Sequence, residues 1–419
     1  MALADILPDT LLDDSAEIHG DLRTFRRQMH RQPEIGLDLP QTQARVLAAL
    51  DGLGVQTTLG TGCTSVTAVL RGGAVASGAD RPSVLLRADM DALPVQELAG
   101  VDYRSQVDGA MHACGHDLHT AMLVGAARLL DARRAELPGD VVLMFQPGEE
   151  GWAGARIMLE EGVLTASGRR VDAAYGMHVF ASLEPHGTFV TKPGPMLAAS
   201  GGLFVTMKGR GGHGSAPHGA RDPIAALADL VNGMQVAVTR SFDAMDPVVV
   251  TVGVIHGGTR RNVIPDEAHL EATVRTFSSA QQARVAEVLT RVAQGVALAH
   301  GVDAEVRYDV EYPVTVNHAG ETAFAADVIE RLFGFEGGRH TVWERPLAGS
   351  EDFSFVLQEV PGSFVGLGAA PPGTDLATAD DNHSPRAVFD DGVLADGAAL
   401  YAALAIARLE QLDGADPSS

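Results

Sequence analysis

Over the first 180 residues, apolar positions come as short unbroken runs separated by longer stretches with helical spacing. Residues 65–70 and 83–87 are aliphatic and β-branched, 140–145 (Asp-Val-Val-Leu-Met-Phe) reads as a strand covered on both faces, and 173–177 as another. Between them, 120–132 and 153–161 carry alanine and leucine at helical spacing. Continuous apolar strands alternating with helices predict the α/β class, a mostly parallel sheet with helices on both faces.

From about residue 198 the texture changes. Residues 203–207, 248–254 and 269–276 alternate apolar with polar positions, while 223–240 and 279–300 are helical. Two helices with three or four half-buried strands predict a compact α+β unit of about 110 residues. Beyond residue 312 the first texture returns, with a helix at 321–333, a strand at 363–368 and a final helix at 390–409. The expected organisation is a domain in two parts, 1–197 and 312–419, interrupted by an inserted domain at 198–311.

Composition narrows the partners. The 54 acidic and 31 basic side chains leave a net charge of −23, which repels nucleic acid and anionic membrane. Lys192 and Lys208 are the only lysines, and no Gly-Lys-Ser/Thr phosphate loop occurs. Two cysteines, Cys63 and Cys114, cannot build a disulfide framework, which fits a reducing compartment. No basic and apolar leader is visible over residues 1–10, and the apolar stretch 398–407 is shorter than the ~20 residues of a membrane span. A soluble cytoplasmic protein is expected.

The densest chemistry lies at 111–119, Met-His-Ala-Cys-Gly-His-Asp-Leu-His, directly before a helix. Thiolate and imidazole are favoured ligands of zinc and its neighbours. Glu149 and Glu150 follow an apolar strand, where one carboxylate can bind a metal while the other faces a water. His178 closes a strand, His383 stands in Asp-Asn-His-Ser-Pro, and Asp89 sits in Arg-Ala-Asp-Met-Asp-Ala-Leu-Pro, where an acid can orient a ligand histidine from behind. A lone histidine or a Glu-Glu pair is more often structural. Their common placement at the C-terminal ends of strands of one sheet, where α/β sheets bind ligands, argues for a site with donors enough for two metal ions.

These runs resemble the dinuclear metallo-aminoacylase and carboxypeptidase family, in the branch of hippurate hydrolases, indole-acetyl-amino-acid hydrolases and N-acetyl-diaminopimelate deacetylases. The matching motifs are 30–34 (His-Arg-Gln-Pro-Glu), 87–94, 112–116, 146–150, His178, 211–218, 262–265, 349–353 and His383, in order along nearly the whole chain. The resemblance implies Cys114, His116, Glu150, His178 and His383 as ligands of two divalent ions (zinc, manganese, cobalt or nickel), with Glu149 as general base. Other branches have His-x-Asp where this chain has Arg87-Ala88-Asp89, and an aspartate bridge where Cys114 stands. The implied reaction is hydrolysis of N-acyl amino acids by metal-activated water, Glu149 moving the proton to the leaving amine.

The inserted domain is implied to be a lid and dimerisation domain. Its 208–218 loop is similar to the family's lid loop, so that His213 would stabilise the oxyanion in a partner subunit's site. Residues 257–265 and 273–276 resemble substrate-holding segments, with Asn262 on the amide or carboxylate and Arg275 on the carboxylate. A homodimer or higher homo-oligomer follows from the same resemblance. Two competing readings remain: a cysteine-dependent hydrolase with Cys114 as nucleophile and His112, His116 or His178 as base, and a non-catalytic metal- or peptide-binding module. The first leaves Glu149, Glu150 and His383 without a role; the second leaves Glu149 without one.

Overall fold

A computed structural model of the chain describes residues 7–74, 81–334 and 338–414. It divides into two compact units, one built from the chain up to Gly194 with Val316–Glu344 and the chain from Phe355 on, the other from Pro195–Thr315 and Arg345–Ser354.

The first unit is organised on an eight-stranded sheet. Its order is Val55–Leu59, Val66–Leu70, Asp140–Gln146, Ser83–Asp89, Ala173–Phe180, Gly362–Gly368, Phe189–Thr191 and His340–Val342. The four central strands, Asp140–Gln146 through Gly362–Gly368, pair in parallel. Three of them are buried along their whole length, so both faces are covered, which is why they read as unbroken apolar runs. The sheet is mostly parallel, with antiparallel pairs towards its edges. Val66–Leu70 runs antiparallel because a short loop, not a helix, brings the chain back from Val55–Leu59. That first strand, Val-Gln-Thr-Thr-Leu, is largely exposed and gives too short an apolar signal to be read from sequence.

Helices His116–Ala132 and Leu394–Asp413 pack on each other and on this sheet, and Leu11–Arg31 packs on both of them. Close approach is set by Gly397, where an added Cβ would lie 1.9 Å from Met122 Sδ. The last helix extends beyond the expected 390–409 and, with the turn before it, is long and apolar enough to cross a membrane. Its most apolar stretch is 78% buried, however, so its apolar length is accounted for by core packing.

The second unit has a four-stranded antiparallel sheet in the order Val248–Gly257, Glu267–Thr276, Ala199–Lys208, Asp303–Tyr312. Alternate residues of Glu267–Thr276 are buried, and their core is shared with helices Pro223–Ser241 and Ser279–His300. Asp222 and Ser278 cap those helices by accepting the N–H groups of Ile224 and Gln281. Asp303–Tyr312 is an edge strand rich in charge, as exposed edges commonly are, which hides it from an apolar-pattern reading. Arg345–Ser354 joins this unit through Leu347, whose backbone pairs with Leu197 and Ala198.

Candidate metal centre

The donors of the first unit converge on Cys114. Cys114 and Gly115 lie in the loop before helix His116–Ala132, not at a strand end as the sequence suggests. Gly115 has φ +83°, and a Cβ there would meet Val179 Cγ2 at 2.4 Å, so glycine lets the loop pass close to the strand that carries His178. His178 lies inside strand Ala173–Phe180, which continues beyond the expected 177. Its Nε2 is 3.4 Å from Cys114 Sγ, and its Nδ1 bonds the Val179 carbonyl at 2.8 Å. His383 Nε2 is 3.2 Å from Cys114 Sγ and 3.1 Å from Glu150 Oε1.

His116 Nδ1 bonds the Asp91 carbonyl at 2.9 Å, while its buried Nε2 makes no hydrogen bond. A buried ring nitrogen without a hydrogen bond is costly unless another partner uses it. Cys114, His116 and His178 have ligand atoms all within 4.8 Å of one another, and so do Cys114, Glu150 and His383. A further such group joins His116, Glu149 and Glu150.

Burial, neighbouring charges and hydrogen bonds shift the imidazoles of the site in both directions. Burial opposes charge on His116, but Asp89 beside it holds the imidazole well above its ordinary pKa. Hydrogen bonds to Cys114 and Glu150 push His383 up to about 10. Burial would raise the Glu150 carboxyl, yet the His383 bond and nearby imidazoles bring it below the usual carboxylate range. His178 and His112 go the other way, burial pushing His112 down to about 3. Neither ring nitrogen of His112 has a hydrogen-bond partner, so it makes no such bond to the Cys114 thiol.

The remaining expected residues lie in the second unit. His213 is exposed on strand Gly212–His213, paired with Val263–Ile264. Its Nδ1 accepts the Ser215 N–H at 3.1 Å, which leaves the neutral ring's proton on Nε2. The Asn262 carbonyl accepts the Gly214 N–H at 2.9 Å, so His213 and Asn262 belong to neighbouring turns. Arg275 stands on the separate four-stranded sheet, half-buried, its Nη1 donating to the Val274 carbonyl at 3.3 Å.

Residues 85–407 match the model of Peptidase family M20/M25/M40. The chain belongs to this family. It is 37% identical over 398 residues to the N-acetylcysteine deacetylase of Bacillus subtilis, covering 94% of this chain and 98% of the relative. It is 34% identical over 403 residues to the hippurate hydrolase of Campylobacter jejuni, covering 96% and 100%. Among solved structures it is similar to the Bacillus subtilis YXEP protein, a dinuclear metal binding peptidase of the M20 family. That likeness has a TM-score of 0.79 and 34% identity, over 94% of this chain and 99% of the other.

Two supports of this M20 site escape a reading of motifs. Asp91 accepts the backbone N–H of Glu149 at 2.9 Å and of Glu150 at 3.1 Å, clamping the turn that carries both carboxylates. Asn382 accepts the Ala181 N–H at 2.9 Å and donates to the Val179 carbonyl at 3.0 Å, fixing the loop in which His383 adopts φ +70°. Both residues lie in the runs Arg-Ala-Asp-Met-Asp-Ala-Leu-Pro and Asp-Asn-His-Ser-Pro, but their backbone partners are remote in sequence. Asp89 accepts from Arg87 and His119 and lies 3.5 Å from His116 Nε2.

Proposed function

We propose that the chain is a metal-dependent amidohydrolase that cleaves N-acyl amino acids into a carboxylic acid and a free amino acid. The observation that carries this reading is the overlap of two donor groups, Cys114–His116–His178 and Cys114–Glu150–His383, on one thiol. The Nδ1 atoms of His116 and His178 are tied to backbone carbonyls, which leaves each Nε2 lone pair for a metal. Thiolate, imidazole and carboxylate together suit two divalent ions drawn from zinc, manganese, cobalt and nickel. When bound, such ions polarise the amide carbonyl and lower the pKa of water. The Asp89 charge that raises His116, and the Cys114 and Glu150 bonds that raise His383, favour a cation there, whose binding would release their protons.

Glu149 adjoins the donors without completing either thiol group, and takes the role of proton acceptor from the attacking water and donor to the leaving amine. His213, with its proton on Nε2, donates to the oxyanion, while Asn262 and Arg275 hold the substrate amide and carboxylate. In this reading residues 1–197 and 312–419 form the catalytic domain, and 198–311 the lid and dimerisation domain of a cytoplasmic homodimer or higher homo-oligomer. The family membership and the deacetylase and hippurate hydrolase relatives support the substrate class.

Chelation should abolish hydrolysis of a panel of N-acetyl, N-benzoyl and indole-acetyl amino acids, and add-back of one of the four ions should restore it. Activity that survives complete metal removal would instead favour the Cys114 thiol mechanism. A second measurement tests the shared site. Mixing Glu149→Ala with His213→Ala protein under subunit exchange should recover up to about a quarter of wild-type activity, the share of native sites expected from random pairing. No recovery despite demonstrated exchange refutes His213 acting across subunits.

A further inference from the structure

His119 has the credentials of a metal ligand. It ends the run of metal-capable residues, and its ligand atom lies within 4.8 Å of those of Asp89 and His116. Both of its nitrogens are already committed. Nε2 accepts the Val179 N–H at 2.8 Å, and a ring nitrogen that accepts an amide proton carries none of its own. The proton of the neutral ring is therefore on Nδ1, which donates to Asp89 Oδ1 at 2.5 Å. Asp89 Oδ2 in turn accepts from Arg87 Nη1 at 2.8 Å, and Arg87 Nε donates to Gln146 Oε1 at 2.8 Å.

Gln146, Arg87, Asp89 and His119 are all fully buried. They form a side-chain chain that runs from strand Asp140–Gln146 through Ser83–Asp89 and helix His116–Ala132 to the neighbouring strand Ala173–Phe180. It ends on the backbone residue that follows His178. Val179 is thus held by both of its polar groups. Its N–H is bound by His119, and its carbonyl accepts from His178 Nδ1 and from Asn382 Nδ2. Fixing that residue fixes the carbonyl that orients the His178 ring, and hence the direction of Nε2.

We infer that His119 is a positioning residue and not a ligand: a tautomer-locked latch on Val179 that aims His178 into the donor cluster. This rests on the reading of His178 as a ligand. Two substitutions separate the halves of the latch. Glutamine can place its oxygen where Nε2 lies and keep the Val179 bond; asparagine can place its amide where Nδ1 lies and keep only the Asp89 bond.

Zinc titration of stripped protein against a competing chelator should give an unchanged number of ions in wild type, His119→Gln and His119→Asn. Affinity should fall about 10- to 100-fold in His119→Asn, as for other groups that orient a ligand, and less than about threefold in His119→Gln. Loss of an ion in either variant, or equal weakening in both, overturns the latch. Wild-type protein that binds no zinc refutes the metal reading instead. The latch is then judged on 15N-histidine spectra of wild type, which also serve if the variants do not fold. His119 should be protonated on Nδ1 and bare on Nε2, with or without zinc; a proton on Nε2, or a change to a coordinated nitrogen on adding zinc, overturns it.

Discussion

Glu149→Gln should lower kcat for N-acyl amino acids about a thousandfold or more while leaving the bound metal unchanged. The size follows from the usual contribution of a positioned general acid–base, about 10²- to 10⁴-fold. Glu149 is buried at the start of a single turn, Glu149–Trp152, which leaves strand Asp140–Gln146 through Gly148 with φ +70°. Its backbone N–H and that of Glu150 are both held by the Asp91 carboxylate, so exchanging the side chain leaves the turn clamped. Glutamine matches the shape of glutamate but cannot take a proton from water. The two donor groups on Cys114 do not need Glu149, although it shares a third with His116 and Glu150. Metal content measured on the kinetic samples therefore decides its role: loss of an ion would make Glu149 a ligand, and near-wild-type kcat would remove it from the chemistry.

The largest stability effect is expected at a buried network beside this site. Arg26 Nε pairs with Asp117 Oδ2 at 2.7 Å, His30 Nδ1 meets the same oxygen at 2.8 Å, and Arg26 Nη1 reaches Asp391 at 3.1 Å. Arg26, His30 and Asp117 are almost wholly excluded from solvent. Burial would raise the Asp117 carboxyl, but Arg26 and His30 hold it far below the ordinary carboxylate range. Arg26→Met removes the guanidinium while filling much of its volume, leaving a buried carboxylate underpaired, and should cost about 3–5 kcal/mol at pH 7.

The sign of the pH dependence follows from the depressed native pKa. The stabilisation is fully present above about pH 4, the unfolded value, and is lost as the pH falls through the native one. Underpaired in the variant, Asp117 takes a proton more readily, so the deficit should be largest at neutral pH and shrink in acid. Urea unfolding of both proteins at pH 7 and pH 4 checks this; a deficit below about 1 kcal/mol at pH 7 would mean that the network contributes little net stability.

Much of this was legible in the chain. Unbroken apolar runs belong to strands buried on both faces, and alternating ones to a sheet with one face on helices, so the two textures and their order could be read directly. The donor types at Cys114, His116, Glu150, His178 and His383 were visible because ligation chemistry is a property of residue type. Strands Val55–Leu59 and Asp303–Tyr312 were not, because exposed edges carry polar and charged residues without an apolar signature.

What the sequence by itself determined is the inventory: the strand and helix periods and a thiol, imidazoles and carboxylates in M20 order. What only the tertiary structure decided is the use of each nitrogen and oxygen. His116 and His119 are the same residue type three positions apart. One turns its Nδ1 to the Asp91 carbonyl and leaves Nε2 without a hydrogen bond; the other is bound on both sides, by Asp89 and by the amide of Val179. Likewise, Asp91 clamps a turn 58 residues away, and His383 reaches a thiol 269 residues away. Tautomer and lone-pair direction depend on hydrogen-bond partners, and here those partners are supplied by strands and loops that only folding brings together.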